Sequence, residues 1–436
     1  VTTTIPGLAA RRTPAPARTS SLQRPLASYY LVLVSTGLLL AIGFVMVLSA
    51  SSVRAYSTFG NAYAIAMKQG IFIGIGLPAL LVAARVPARL WRKVGTPLLL
   101  LAVFLLCAVL VPGIGRNVDG ARRWISLPGG FNVQPSELAK LGLALWGADL
   151  LVRKRKLLKY PKHLLLPLVP VVGVVAALVM LEPDMGTTIV VTSILMALLW
   201  VVGAPARVFG GLVSVALLMG ALMAVAEPYR LARLTSFTNP CSLTHRLDKG
   251  YQACQGLQAL DAGGWVGLGL GASREKWSGG LPNPYTDYVY AIVGEELGLL
   301  GTLTVLLLFA TLTYAGVRIA KRTPDPFSRL AASAITIWIA VQALVNMGTV
   351  VGMVPITGIP LPLISFGGSA LIPTLVGIGM LLSFAREEPG ARQALQARQG
   401  RLRSFLGHAW PTAAVPPQRG RATGATRASR PVSRRR

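Results

Sequence analysis

Apolar runs of about 20 residues recur along this chain with short basic segments between them, and that recurrence limits its possible folds more than any other feature. A helix rising about 1.5 Å per residue needs that length to cross a hydrocarbon layer about 30 Å thick. In lipid, only helices and closed barrels satisfy every backbone N–H and C=O, and the period-two alternation of barrel strands is absent. The expected fold is an all-α polytopic membrane protein. With 53% hydrophobic and 13% charged residues and a mean hydropathy of +0.59, a soluble domain is excluded.

Ten transmembrane helices are expected, at 29–50, 64–84, 94–111, 136–152, 164–181, 186–203, 208–226, 288–319, 327–353 and 369–385. The eighth is over-long, which implies that it starts outside the bilayer or tilts. The first run has no cleavage site after a short core and reads as a span rather than a removable signal. With the N-terminus inside, 31 of the 43 Lys and Arg fall on the inner side and 10 on the outer, while Lys68 and Lys140 lie within spans. Both termini are therefore expected in the cytoplasm. A net charge of +28 would suggest nucleic acid in a soluble protein. Here it lies between spans and in two tails, so no nucleic-acid partner is expected. The tails, 1–27 and 386–436, are too poor in apolar residues to fold alone and should be drawn to anionic inner-leaflet lipid or acidic partners. Residues 28–385 form the membrane domain.

The unusual sequence gathers in segments expected on the outer face: 112–135, the large loop 227–286 between helices seven and eight, and 355–368. Acid groups beside a span are costly, so Asp287, Glu295 and Glu296 in GLPNPYTDYVYAIVGEELGLLG (280–301) read as functional. The alternative is that Thr286 and Asp287 cap the helix that follows. Arg122, Arg123 and Trp124 precede Glu137 and Lys140, which share a helix face and can pair. That group is either a snorkelling interface or an anion site suited to a diphosphate. Glu182 and Asp184 bracket Pro183 and either bind a cation or cap span six, the cap being the favoured reading. The Gly-rich run GGWVGLGLG (263–271) follows no expected strand and reads as close backbone packing, not nucleotide binding. Cys241 and Cys254, on the oxidising side, are expected to form a disulfide. His163, His245 and His408 are isolated, and neither a hydrolase elbow nor a Walker loop is present. Carboxylates and cations would have to carry any chemistry.

In order along the chain stand MVLSASS (46–52), ARRWI (121–125), VQPSELAKL (133–141), EPDMGT (182–187), EPYR (227–230), GYQ (250–252), GLPNPYTDYVYAIVGEELGLLG (280–301) and ITGIPLPLISFGGSA (356–370). Together they resemble the SEDS family, the shape, elongation, division and sporulation proteins, over about 28–385, and most of all its division branch. The resemblance implies an inverting glycosyltransferase that polymerises lipid II, the undecaprenyl-diphosphate disaccharide pentapeptide, into peptidoglycan in the bacterial cytoplasmic membrane at the septum. It implies as partners a class B penicillin-binding transpeptidase and other division proteins. The family's essential loop aspartate falls on Asp287, the catalytic base. Arg123, Trp124, Glu137, Lys140, Arg230, Thr286 and Ser365 fall on the substrate-binding side, with Arg123, Lys140 and Arg230 as diphosphate ligands. A divalent cation, Mg or Mn, is expected to assist, without assigned ligands. Tyr285, Phe366 and Ala370 depart from the family's His, Tyr and Ser. The rival readings are a lipid II flippase, the elongation-branch polymerase and a scaffold for division proteins.

Overall fold

The structure, a computed structural model, describes residues 26–391 apart from 119–120, 128–130, 158–160, 227–239, 243–249 and 278–279. Arg230, most of both tails and much of the large loop lie outside the described residues. The helices are α1 (Ala27–Phe59), α2 (Ala64–Ala83), α3 (Ala88–Leu110), α4 (Pro135–Arg153), α5 (Pro161–Leu181), α6 (Met185–Val202), α7 (Ala206–Ala226), α8 (Tyr251–Gly263), α9 (Val289–Arg322), α10 (Pro326–Val350) and α11 (Gly368–Ala385). Among the described residues, seven of them, α1, α2, α3, α6, α9, α10 and α11, are long and apolar enough to cross a membrane. The chain is a multi-pass membrane protein. Helix α4 carries Glu137, Lys140, Asp149 and Arg153, yet it is buried along most of its length: it lies inside the bundle.

Local chemistry sets several helix starts. Asp184 precedes α6 and accepts from Thr187 N at 3.0 Å, while Asp325 precedes α10 and accepts from Ser328 N at 2.9 Å. Pro326 opens α10, where its missing N–H costs nothing. Helix α10 lies centrally, packing against α4, α6, α9 and α11, and its Phe327 and Trp338 are fully buried. Helix α1 packs on α9 and α2 on α11. Where α1 crosses segment 355–367, a Cβ on Gly43 would fall 2.6 Å from the Leu363 carbonyl oxygen, so that approach requires glycine.

Two features depart from the sequence expectation. The fold is not all-α, because residues after α3 form an antiparallel sheet of β1 (Gly115–Val118), β2 (Ala121–Leu127) and β3 (Phe131–Val133) in the order β1-β2-β3. Arg116 pairs with Trp124 and Ile125 with Val133. Strands this short give almost no periodic signal, and pairing with the adjacent β1 and β3 holds ARRWISL extended.

The second departure is in the over-long eighth span, which is broken. At Gly298 the backbone turns to φ 66°, ψ −162°, dividing α9 into a buried half-helix and a longer one. The Gly-rich run inserts at the break. Leu268 N donates to Glu295 O (2.9 Å), Gly269 N to Glu296 O (3.0 Å), Leu299 N to Gly264 O (2.9 Å) and Leu300 N to Trp265 O (3.2 Å). These bonds satisfy the peptide groups that the break would orphan. A Cβ at Gly298 would meet Gly267 N at 2.4 Å in a backbone region other residues avoid. Gly298→Ala is therefore expected to cost about 1–3 kcal/mol, read as a lowered unfolding temperature in detergent. Gly210→Ala, in open space, should leave that temperature unchanged.

Candidate functional site

Asp287 ends a turn that enters the buried half of α9. Its backbone carbonyl accepts from Asn346 Nδ2 on α10 (2.7 Å), and its Oδ1 accepts from Thr286 Oγ1 (2.8 Å). The same Thr286 hydroxyl lies 2.9 Å from Asn283 O. The N-cap of α9 is Tyr288, which makes no side-chain cap. Asn283 has φ 55°, tolerable for Asn, and its Oδ1 accepts from Arg54 Nη1 at 2.5 Å. Asp287 is half-buried, with Oδ2 4.0 Å from where a Cβ on Gly358 would stand. Segment 355–367 thus passes directly beside the carboxylate.

One polar column beneath this turn fixes both. Glu137 and Lys140 pair at 2.8 Å, fully buried. Lys140 Nζ also donates to Gln342 Oε1 (2.7 Å) and sits 5.1 Å from the Trp338 ring centre. Trp338 Nε1 donates to the same Gln342 oxygen at 2.9 Å, while Gln342 Nε2 donates to Pro360 O at 3.0 Å. One turn on, Asn346 Nδ2 bridges Asp287 O and Ile359 O, the latter at 2.8 Å. The ammonium of Lys140 is thus enclosed by protein partners rather than presented to a ligand. Gln342, Asn346 and Trp338 give no signal in the sequence, since Gln and Asn in an apolar helix acquire meaning only from what they face.

Arg123, on β2, donates Nε to Glu182 O (2.9 Å) and Nη2 to Pro183 O, clamping the sheet to the turn before α6; Trp124 beside it is half-buried. The Asp184 carboxylate accepts from Thr187 and from Gln134 Nε2 (3.2 Å). Glu182 is buried, and among the described residues neither of its carboxylate oxygens has a hydrogen-bond partner. Desolvation, then the neighbouring Asp184 charge, push its pKa up from 4.5 to about 8, with Arg123 opposing. Gly186, four residues on, lies against Thr357 and Ile359, so this turn and Asp287 both adjoin segment 355–367.

Glu295 and Glu296 serve as anchors. Glu295 accepts from Ser273 Oγ (2.5 Å) and Arg274 N (2.6 Å), and Glu296 from Ser49 Oγ (2.6 Å) and Lys276 Nζ (3.2 Å). They tie loop 271–276 to α9 and α1. Ser365 is buried and its Oγ accepts from Leu361 N at 2.8 Å, closing the bend at the end of segment 355–367. Tyr285 and Phe366 meet edge to face at 5.7 Å, and Phe72 lies 6.0 Å from Phe366. Cys241 and Cys254 form a disulfide with Cα atoms 5.0 Å apart, joining the loop to α8. Among the described residues no group of three or more His, Cys, Asp and Glu is arranged to hold a metal ion.

A family model for cell cycle proteins of the FtsW, RodA and SpoVE type matches residues 29–389. The chain belongs to this family. It is 41% identical over 398 residues to the probable peptidoglycan glycosyltransferase FtsW of Mycobacterium tuberculosis, covering 91% of this chain and 75% of that protein. It is 38% identical over 358 residues to the stage V sporulation protein E of Bacillus subtilis, covering 82% and 96%. Among solved structures it resembles a chain of a peptidoglycan synthase complex that coordinates polymerization and crosslinking. There the TM-score is 0.67 at 28% identity, over 83% of this chain and 98% of that one. It also resembles the rod shape determining protein RodA of Thermus thermophilus, with a TM-score of 0.59 at 26% identity, over 82% and 96%.

Removing one partner of a buried ion pair leaves an uncompensated charge, so Glu137→Gln is expected to cost about 3–5 kcal/mol in thermal unfolding. The double variant Glu137→Gln with Lys140→Met should recover part of that loss. For Glu182 the folded state holds its proton more tightly than the unfolded chain. The stability this contributes is complete below pH 4.5 and lost as pH rises through about 8. Unfolding temperatures measured from pH 5 to 9 should therefore fall less steeply for Glu182→Gln than for the wild type.

Proposed function

We infer that this protein is a peptidoglycan glycosyltransferase that polymerises lipid II for septal wall synthesis. The observation that carries the reading is Asp287, a half-buried carboxylate fixed through its backbone by Asn346 and through its side chain by Thr286, beside segment 355–367. The names of the relatives at 41% and 38% identity and the likeness to a peptidoglycan synthase complex support it. The division branch is favoured over the elongation branch by the relatives named FtsW.

In this reading Asp287 accepts the proton of the acceptor sugar's 4-hydroxyl as that oxygen attacks the anomeric carbon of the donor. The bond from that carbon to the diphosphate breaks, and the leaving group takes the electron pair. Compensating the leaving charge is assigned to two cations: Arg123, whose fork reaches the 182–183 turn, and Arg230, which lies outside the described residues. Lys140 and Glu137 act by fixing Gln342 and, through it, Pro360. Trp124, Thr286 and Ser365 shape the substrate side. A bound divalent cation, Mg or Mn, would add to the charge compensation.

The sidedness proposed is ten spans with both termini cytoplasmic, the sheet and Asp287 on the outer face where lipid-linked sugars are joined. A class B transpeptidase is the proposed partner for crosslinking, and the Arg-rich tails are proposed to meet anionic lipid and other division proteins. The test is purified protein in detergent with fluorescent lipid II. Glycan ladders are expected from the wild type, and Asp287→Asn should abolish them while leaving the unfolding temperature unchanged. Ladders from Asp287→Asn at more than a small fraction of the wild-type rate would remove the base role. Transfer between leaflets without ladders would favour the flippase.

A further inference from the structure

Arg54 stands in the last turns of α1, and no charged residue precedes it in that helix. At about 1.5 Å per residue, the uncharged stretch from Ala27 to Val53 runs about 40 Å. The hydrocarbon of a bilayer is about 30 Å thick, and about 40–45 Å with its headgroups, so Arg54 is the first charge of α1 to emerge at headgroup depth. The phosphates of a lipid-linked sugar lie at that depth.

The Arg54 side chain is exposed and donates Nη1 to Asn283 Oδ1 at 2.5 Å. Among the described residues its guanidinium makes no other hydrogen bond or ion pair. The Nε and Nη2 edge, the pair of donors that fits two phosphate oxygens at once, is left open. Asn283 begins the turn that ends on Asp287, its carbonyl accepting from Thr286 N at 3.2 Å and from Thr286 Oγ1 at 2.9 Å. Other cations of the region are committed to the protein. Lys140 is enclosed by Glu137, Gln342 and the Trp338 ring, and Lys276 is buried against Glu296 and Gly271 O. Arg123 spends the same Nε and Nη2 edge on the 182–183 carbonyls, so it offers charge but not that fork.

We propose that Arg54 is a substrate-binding residue whose Nε and Nη2 edge holds the sugar-side phosphate of the donor's diphosphate. The proposal rests on the polymerase reading above and deepens it. As the bond from the anomeric carbon breaks, the bridging oxygen keeps the electron pair and its phosphate gains a negative charge. The guanidinium meets that charge with two hydrogen bonds, and no proton moves to or from Arg54. Inverting displacement puts the base and the leaving group on opposite sides of the anomeric carbon. A turn that carries the base at one end and ties the cation at the other serves that arrangement.

Two other roles compete for the same side chain: a clasp that only holds Asn283, and a general contact with phospholipid headgroups. The experiment separates them. Purified full-length protein in detergent is titrated with undecaprenyl diphosphate, undecaprenyl monophosphate and phosphatidylglycerol, each competing with fluorescent lipid II followed by anisotropy. Arg54→Gln is expected to weaken the diphosphate by about tenfold, the effect of losing a hydrogen bond between charged groups. Binding of the monophosphate and of phosphatidylglycerol should not change. Arg54→Lys keeps the charge without the fork and should show a smaller loss confined to the diphosphate; it carries the test if Arg54→Gln does not fold. Asn283→Gly keeps the left-handed backbone and removes the clasp, so it should retain the wild-type preference for the diphosphate.

A loss shared equally by the monophosphate or by phosphatidylglycerol would overturn the proposal in favour of a headgroup contact. An Asn283→Gly variant that matches Arg54→Gln would overturn it in favour of the clasp, and unchanged diphosphate binding in Arg54→Gln would overturn it outright. Asp287→Asn is run beside them and should bind the diphosphate as the wild type does while forming no glycan. If it polymerises, the base reading fails and the Arg54 binding result stands by itself; if it is inactive while Arg54→Gln binds as the wild type does, only the Arg54 assignment fails.

Discussion

A positive charge buried in the middle of a membrane-embedded bundle is the constraint from which the rest of the site follows. The Lys140 ammonium is out of reach of water, and a lone charge there would cost several kcal/mol or more. Glu137 neutralises it, and Gln342 and the Trp338 ring fill the remaining directions. Once Gln342 Oε1 is committed to Lys140 and Trp338, its amide nitrogen is left to bind Pro360 O. Asn346, one turn further along α10, repeats the motif on Ile359 and Asp287. The ion pair therefore sets the register between α4, α10 and the irregular segment beside Asp287. A hydrophobic core could be as stable, but it could not fix that segment's position in this directional way.

The break in α9 solves a different problem. A helix that crosses the whole bundle without interruption would carry its lipid-facing surface into the region where the polar turn must sit. At Gly298 the chain ends the buried half-helix, and the Gly-rich run supplies the missing backbone partners. Glu295 and Glu296, just before the break, hold loop 271–276 by its backbone amides and Ser273, with Ser49 and Lys276 completing the set. Those acid groups stabilise the frame that presents Asp287. The clamp of Arg123 on the 182–183 carbonyls plays the same part on the other side, attaching the sheet to the start of α6.

The membrane class and the course of the long apolar helices were legible from residue order, because hydrocarbon thickness and the cost of burying charge act on the chain itself. The pairing of Glu137 with Lys140 was equally readable, since three residues on a helix place two side chains on one face. Only the tertiary structure decided which carboxylates anchor loops and which side chains hold the Asp287 turn. Each depends on contacts between residues far apart in sequence, such as Lys140 with Gln342, Arg54 with Asn283 or Gly298 with Gly267. A Gln or Asn in an apolar helix has the same local signature whether it faces lipid, a neighbouring helix or a catalytic turn. Its role is set by the hydrogen bonds that burial makes obligatory, and the partners for those bonds exist only once the helices have packed.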